Sequence, residues 1–329
     1  MTPTPGASKP YAPCGRTYSI DFSINPGTPF EYPESRSMTE PQAGILLPIP
    51  TNARYLSFDL VNPVSVPSCL RALRDLADGE NTVVGFGLTL TAALDANIQG
   101  LNHFPLITAP GLSIERAPEA VWIWLRGDDR GELLHRSRRM TQALSPAFEL
   151  KDICDAFKHD NGRDLSGYED GTENPIGEEA VSAAIVGGAS ALAGSSFVAV
   201  QRWAHRFDRF EAMSGSEQDN TVGRRRTDNE ELDDAPESAH VKRTAQESFT
   251  PEAFVLRRSM PWADGNEGGL MFVAFGRAFA AFEAQLNRMV GNEDGVVDAL
   301  FKFTQPVSGA YYWCPAIRDG QLDLTQLGL

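Results

Sequence analysis

The sequence predicts an α+β protein whose two halves share one order of secondary structure. The chain has 329 residues, 42% hydrophobic and 22% charged, a composition typical of a soluble globular protein with a sizeable core. Apolar segments with strand-like and helix-like periodicity follow the order β-α-β-β-α-β, first in residues 41–157 and again in residues 158–329. This order is the ferredoxin-like arrangement. An irregular arm rich in proline, serine, threonine and glycine is expected over residues 1–40.

The first half combines short apolar runs with two amphipathic stretches. The predicted strands are Ala43–Pro48, Tyr55–Val61, Val83–Leu88, Val121–Leu125 and Phe148–Cys154. The predicted helices are Pro67–Gly79, with Leu70, Leu73, Leu76 and Ala77 on one face, and Gly131–Leu144, with Leu133, Leu134, Met140 and Leu144 turned inward. Because residues 121–125 are all apolar, that strand is expected to be buried on both faces.

The second half begins after a polar, glycine-rich connection over residues 158–195. Its predicted strands are Phe197–Trp203, Ala253–Met260, Gly269–Phe275 and Ala310–Cys314, and residues 214–240 are expected to form a charged loop. The predicted helices are a short one through Phe210 and Met213, a longer one over Ala278–Val290 with Phe279, Phe282, Leu286 and Met289 on one side, and a short one over Val296–Phe301.

Charge and cysteine content narrow the function classes. The 44 acidic and 29 basic residues give a formal net charge of −15, so we expect no nucleic-acid partner and no anionic membrane surface. Four widely spaced cysteines form no Cys-x-x-Cys pair, which argues against a zinc site and against covalent haem attachment; buried free thiols in a reducing compartment are expected. The N-terminus shows no signal-peptide pattern, and we expect a cytoplasmic protein.

Residues 167–175 read G-Y-E-D-G-T-E-N-P and carry the most specific signal in the chain. The Asp-Gly dipeptide alone predicts a surface turn. The longer run resembles the signature of the dye-decolourising peroxidases, a haem peroxidase family, and in particular its bacterial, cytoplasmic class B members. The resemblance spans residues 40–316 through four segments in the right order. It implies tandem duplicated ferredoxin-like domains of the dimeric α/β-barrel type, with antiparallel sheets and outer helices, and a non-covalent haem b in the second domain.

The resemblance also implies an axial histidine for the haem iron. His240 lies in a Ser-Ala-His-Val segment after an acidic stretch, as the proximal histidine of the family does. It lies 70 residues beyond Asp170, which also fits the family. His205, at the end of a predicted strand among arginines, is the alternative ligand. For any one histidine, a surface or satisfied core position is the ordinary expectation.

Further site residues follow from the same resemblance. The segment after Phe254 resembles the one that carries the distal arginine, which points to Arg257, with Ser259 placed to help organise distal water. Alternation in a strand would put both side chains on one face. Val222-Gly223-Arg224 resembles a segment whose arginine pairs with a haem propionate, although Arg225 and Arg226 leave the choice open.

A carboxylate that accepts the N–H of the proximal imidazole is the last expected part of the site. Asp298 resembles this acid, with Asp294 as its rival. Such a partner raises the basicity of the imidazole and favours higher oxidation states of the iron. A surface role near the end of a helix is the ordinary expectation for either aspartate.

The resemblance implies a peroxidase that uses hydrogen peroxide to oxidise dyes, phenols or other one-electron donors through a ferryl intermediate. Asp170 would act as general base, Arg257 would stabilise developing negative charge, and His240 would hold the iron. Because a carboxylate base stays ionised in mild acid, an acidic optimum is expected. Buried tryptophans and tyrosines are candidate electron relays for large donors, although core packing is the more ordinary role.

Three other functions are compatible with parts of the sequence. One is a haem-handling or iron-releasing protein, and another is a haem-binding module without enzymatic activity. A glycosidase-like acid pair drawn from Glu169, Asp170 and Glu173 ranks last, because it leaves the segments around residues 224, 240 and 257 unexplained. We expect a homo-oligomer, a dimer or a tetramer. The tail over residues 322–329 would either dock on a partner such as a protein shell or cover the surface of its own chain.

Overall fold

The computed structural model describes Met1 and residues 39–109 and 112–329, so most of the predicted arm lies outside the described residues. Its strands are β1 (Thr39–Glu40), β2 (Asn52–Leu60), β3 (Thr82–Phe86), β4 (Thr108–Ala109), β5 (Leu112–Ser113), β6 (Glu115–Arg116), β7 (Val121–Gly127), β8 (Phe148–Phe157), β9 (Ser196–His205), β10 (Leu256–Arg257), β11 (Met260–Asp264), β12 (Glu267–Gly276), β13 (Thr304–Cys314), β14 (Ile317–Arg318) and β15 (Gln321–Leu322). Its helices are α1 (Ala43–Leu46), α2 (Val66–Leu76), α3 (Leu88–Ala93), α4 (Arg130–Leu144), α5 (Gly177–Ala184), α6 (Phe207–Glu211), α7 (Gly215–Val222), α8 (His240–Arg243) and α9 (Ala280–Met289). Short 3-10 helices lie at Pro63–Ser65, Gln246–Ser248, Ala299–Lys302 and Thr325–Leu327.

Eight of these strands form a closed ring of hydrogen-bonded neighbours. The first half contributes the antiparallel order β8-β2-β7-β3, and the second half contributes the antiparallel order β11-β12-β9-β13. Trp262 pairs with Ala156 at one seam, and Trp313 pairs with Phe86 at the other, so the two sheets meet at both edges. The predicted α+β class with antiparallel sheets is confirmed, while the predicted domain boundaries stay a prediction.

Both faces of the ring are apolar at strand β7. On β7, Trp122 and Trp124 point inside, where the ring of Tyr55 stacks between them with centroids 6.1 Å from each. Ile123 and Leu125 point outward into the cluster that contains the leucines of α2 and α4. All four β7 side chains are at most 1% exposed, which confirms the prediction of a strand buried on both faces. The ring is therefore filled by side chains and covered outside by helices.

The prediction of a strand at Ala43–Pro48 is wrong, because residues 43–46 form helix α1. The buried side chain of Gln42 takes the place that a pairing strand would occupy. Its Nε2 donates to the carbonyl of Val84 at 2.8 Å, and its Oε1 accepts the N–H of Val84 at 2.8 Å. One amide side chain thus satisfies the edge of β3, and the apolar run after it is free to turn into a helix.

Three other elements differ in detail from the prediction. Leu134 on α4 is 45% exposed, and Ser137 takes the buried position that matches the helical spacing. The predicted strand Ala253–Met260 is divided into β10 and β11 with a break at residues 258–259. The predicted charged loop over residues 214–240 contains α7, which begins at a capping box between Ser214 and Glu217.

The carboxyl-terminal tail packs against its own chain. Leu322, Leu324 and Leu327 are each at most 3% exposed and belong to the cluster under α2. The structure therefore favours the surface-covering alternative for the tail. Cys69, Cys154 and Cys314 are buried and free, as expected, while Cys14 lies outside the described residues. Among the described residues, none of the helices combines the length and apolar character that crossing a bilayer requires.

Candidate active site

A largely apolar cavity opens between the outer face of the second sheet, helix α9 and the loop over residues 162–175. The empty space is about 890 Å³ and includes open solvent at its mouth. Strands β9 and β12, helix α9 and the segment before β13 supply its apolar wall, with Leu270, Phe272, Phe282, Leu286, Met289 and Phe303. Polar side chains from separate segments share the same space: Asp170, Gln201, His205, His240 and Arg257. A few polar groups converging in an apolar cavity are the usual composition of a ligand site.

His240 enters this cavity from the start of α8. Its Nδ1 lies 2.7 Å from Oδ2 of Asp298, whose side chain is fully buried. The other oxygen of Asp298 accepts the N–H of Leu300 at 2.8 Å, so the carboxylate acts as acceptor and Nδ1 carries the proton. Within the described residues Nε2 has no hydrogen-bond partner, and its lone pair is available to a ligand in the cavity. Asp294, the rival acid, instead pairs with Arg243 at 2.7 Å.

His205 reaches the same cavity with both ring nitrogens engaged. Nε2 lies 2.9 Å from Oδ1 of Asp164, and Nδ1 lies 2.7 Å from the hydroxyl of Thr304. The same hydroxyl also lies 3.2 Å from the carbonyl oxygen of Ala204. Both ring nitrogens of His205 are therefore engaged in hydrogen bonds with protein side chains, and neither is free for a metal. Between the two candidate histidines, only His240 has the free nitrogen that an axial ligand needs.

The motif loop brings a carboxylate to an arginine. Oδ1 of Asp170 lies 3.4 Å from Nη1 of Arg257, and both side chains line the cavity. The backbone N–H of Asp170 donates to the carbonyl of Gly162 at 3.2 Å, and Gly171 makes the turn that follows, with φ at +78°. This hydrogen bond holds the backbone of the loop at Asp170 in place.

Asn174 holds the arginine in register with the loop, a role that sequence reasoning did not assign. Its Oδ1 accepts the N–H of Arg257 at 2.8 Å, and its Nδ2 donates to the carbonyl of Arg257 at 3.1 Å. The amide side chain therefore binds β10 as a neighbouring strand would. The sequence feature that could have indicated this role is the position of Asn174 inside the 167–175 run.

Two other predicted residues lie away from the cavity wall. The guanidinium of Arg224 binds Glu173 at 2.6 Å and Glu231 at 3.4 Å. The buried hydroxyl of Ser259 accepts the N–H of Val273 at 3.3 Å. The break between β10 and β11 ends the alternation that would have aligned Ser259 with Arg257.

The other arginines of these segments have different partners. Arg225 pairs with Asp228 and Glu230, and the exposed Arg226 contacts the side-chain oxygen of Gln218 at 3.1 Å. Arg258 donates to carbonyls of α1, and burial together with the nearby charge of another arginine lowers the pKa of Arg258 to about 10. Arg257 is therefore the arginine of these two segments that reaches the cavity.

The residues present fit a haem. A porphyrin needs an apolar slot, one nitrogen ligand with a free lone pair, and polar groups for its carboxylates. His240 supplies the nitrogen, and a carboxylate in contact with its other nitrogen, as Asp298 is, orients a ligating imidazole. In residues 39–109 and 112–329, no cluster of three or more histidine, cysteine or acidic side chains forms a site for a bare metal ion.

Comparison with known proteins gives a consistent set of matches. The family model for the C-terminal domain of Dyp-type peroxidases matches residues 161–319. A dye-decolorizing peroxidase of Rhodococcus erythropolis is 30% identical over 251 residues, 73% of each chain. Another, of Mycolicibacterium paratuberculosis, is 30% identical over 222 residues, which cover 65% of this chain and 61% of that protein. The solved dye-decolorizing protein of V. cholerae superposes with a TM-score of 0.78 at 25% identity, covering 87% of this chain and 98% of that one.

Proposed function

Because the chain belongs to the Dyp-type peroxidase family, we propose that it is a haem peroxidase that reduces hydrogen peroxide and oxidises small one-electron donors. The observation that carries this proposal is the cavity itself. The unpartnered nitrogen of His240 and the pair formed by Asp170 and Arg257 line one apolar space. A Rhodococcus jostii protein of the same fold, 24% identical, has been solved in complex with heme. These facts support a non-covalent haem b ligated by His240.

When bound, haem supplies the iron at which the peroxide bond is cleaved and the redox capacity that one-electron donors then restore. The protein contributes the proton transfer and the electrostatics. Asp170 accepts a proton from one oxygen of hydrogen peroxide and delivers it to the other, which leaves as water. Arg257, with Nη1 3.4 Å from Asp170, stabilises the negative charge that develops as the O–O bond breaks.

The protein also sets the tautomer and the orientation of the proposed iron ligand, His240. Asp298 keeps the proton of His240 on Nδ1, so that Nε2 remains the ligating nitrogen. Because Asp298 is buried and also binds the N–H of Leu300, its carboxylate cannot rotate away. The apolar wall excludes water from the reacting atoms and strengthens every polar interaction inside the cavity.

Several narrower assignments belong to the same proposal. Dyes and phenols are the proposed donors, and Arg224 and Ser259 would reach the cofactor only after a change in their present contacts. A cytoplasmic homo-oligomer remains the proposed form of the protein. A Mycobacterium smegmatis peroxidase of the same fold is described as encapsulated. Docking of this chain in a protein shell through residues 322–329 would require the buried leucines of that tail to leave their cluster.

The first test is an absorption spectrum of the haem-reconstituted protein before and after one equivalent of hydrogen peroxide. We expect a Soret band that shifts on addition of peroxide. In His240→Ala the band should be lost or altered, whereas His135→Ala, on the exposed face of α4, should behave as wild type. Haem that binds but does not react would favour a haem-handling protein. Absence of binding would refute the proposal.

A second test separates the distal pair from the ligand. Asp170→Ala and Arg257→Ala should each keep the resting Soret band and lower the rate of peroxide consumption by roughly a hundredfold or more, the usual scale for a general base or a charge-stabilising donor. Arg225→Ala is the matched control, because Arg225 pairs only with exposed acids. Unchanged peroxide turnover in both distal variants would contradict the assignment.

A further inference from the structure

The side chain of Gln201 is the unexplained polar group of the cavity. Gln201 lies on β9, lines the cavity and is 1% exposed. Its Nε2 has no hydrogen-bond partner among the described residues. A buried donor without an acceptor is costly, and native proteins contain few of them. Such a group calls for an acceptor that a ligand would supply.

The orientation of this amide is set by its neighbour on the strand. Nε1 of Trp203 donates to Oε1 of Gln201 at 3.3 Å. The indole is itself fixed, because its ring stacks on Phe301 with centroids 5.6 Å apart and an interplanar angle of 15°. An indole N–H can only donate, so it selects the oxygen of the amide. The two hydrogens on Nε2 of Gln201 are therefore the ones that remain for a ligand.

His205, which lies on the same face of β9, cannot replace Gln201 as the donor to a ligand. Side chains two positions apart in a strand lie on the same face, so residues 201, 203 and 205 share one face of β9. His205 is the next titratable side chain along that face. Both nitrogens of His205 are already bound, to Asp164 and to Thr304. Asp164 offsets any charge on the imidazole. The cavity wall formed by β9 thus offers one uncommitted donor, and it is neutral.

We propose that Gln201 is a cofactor-positioning residue that donates from Nε2 to a carboxylate on the edge of the bound porphyrin. This inference rests on the proposed haem function. A metalloporphyrin has its pyrrole nitrogens occupied by the metal, so its propionates are its only strong hydrogen-bond acceptors at the periphery. The rest of its periphery is apolar, as are most of the side chains that line the cavity. Gln201 therefore selects which edge of the porphyrin faces β9.

The experiment compares two cofactors that differ only at the carboxylates: haem and haem dimethyl ester. The cofactor-free protein is titrated with each, and dissociation rates are measured by transfer to a haem-scavenging protein. Gln201→Met keeps the length of the side chain and removes the donor. It should weaken haem binding by roughly tenfold to a hundredfold, the scale of a hydrogen bond to a charged group. Its affinity for the dimethyl ester should stay close to that of the wild type, because uncharged ester carbonyls are weaker acceptors.

Gln285→Met is the matched control. Gln285 also lines the cavity, but its Nε2 already donates to the carbonyl of Ala253 at 2.7 Å. Its substitution should change the binding of both cofactors alike. Gln201→Glu provides a second variant that retains the acceptor for Trp203, and it should discriminate against haem even more strongly than Gln201→Met.

The outcomes separate this inference from the proposed function. If wild type binds neither cofactor, the haem proposal itself fails. If wild type binds haem but Gln201→Met loses affinity for haem and for the dimethyl ester equally, Gln201 only shapes the cavity and the inference is overturned. Unchanged haem affinity in both Gln201 variants overturns it as well. A loss confined to the cofactor with free carboxylates supports it.

Discussion

Replacing Asp164 by asparagine tests the buried pair with His205. The carboxylate of Asp164 accepts three hydrogen bonds, from Nε2 of His205 at 2.9 Å and from the N–H and hydroxyl of Ser166 at 2.9 and 2.6 Å. The side chains of Asp164 and His205 are only 15% and 5% exposed. Breaking a buried pair costs about 3–5 kcal/mol, and Asp164→Asn, which keeps one oxygen for Ser166, should lie at the lower end, about 3 kcal/mol.

The same pair predicts how the difference in free energy of unfolding between wild type and Asp164→Asn depends on pH. Burial alone would raise the pKa of Asp164, but hydrogen bonds from His205 and Ser166 outweigh it and hold the pKa below its ordinary value. A lowered folded-state pKa gives stability that is present above the unfolded-state pKa of about 3.9 and is lost as the pH falls through the folded-state value. The free-energy difference between wild type and Asp164→Asn should therefore persist between about pH 5 and 7 and shrink below about pH 4.

Urea unfolding of the cofactor-free protein, followed by circular dichroism at several pH values, measures this difference. Asp155→Asn is the control, because Asp155 binds Arg54 at 2.6 and 2.7 Å but is 34% exposed. A partly exposed pair is screened, so its loss should cost about 1 kcal/mol or less. A loss for Asp164→Asn no larger than that of the control, or a difference that grows as the pH falls from 5 to 4, would refute the reasoning.

Three further predictions concern the site and its supports. Asp298→Asn removes the anion beside Nδ1 of His240 and should weaken haem binding by about tenfold or more and raise the reduction potential, measured by spectroelectrochemistry; an unchanged potential would count against the pair. Gly223→Ala should lower the free energy of unfolding by about 2 kcal/mol or more, because φ is +93° and the added Cβ would clash with Cγ2 of Val241; a neutral result in urea unfolding would contradict this. Burial raises the pKa of Cys154 to about 12, so iodoacetamide at pH 8 should label it in urea and spare it in the native protein, as mass spectrometry can show; rapid native labelling would oppose the assignment.

Sequence alone determined much of the element order and the principal site segments. Strand and helix periods are local properties, so β7, β9, β12 and α9 were predicted within a few residues of their bounds. The run over residues 167–175 and the segments around His240 and Arg257 were identified because their residue types and spacing are distinctive. The exposed Leu134 shows the limit of this reasoning. Leu133 and Leu134 are both leucines, so their residue type does not tell which of the two lies on the buried face of the helix.

Tertiary structure decided everything that depends on a partner distant in sequence. Asp298, and not Asp294, contacts His240, at 2.7 Å across 58 residues, and the second nitrogen of His205 contacts Thr304 across 99 residues. The helix at residues 43–46 follows Gln42, whose side chain pairs with a strand 42 residues away. Hydrogen bonds and burial depend on which groups are in contact in the folded chain, and a local sequence pattern carries no information about those contacts. The sequence therefore indicated the segments that line the candidate site, and the fold determined which of their polar atoms have partners.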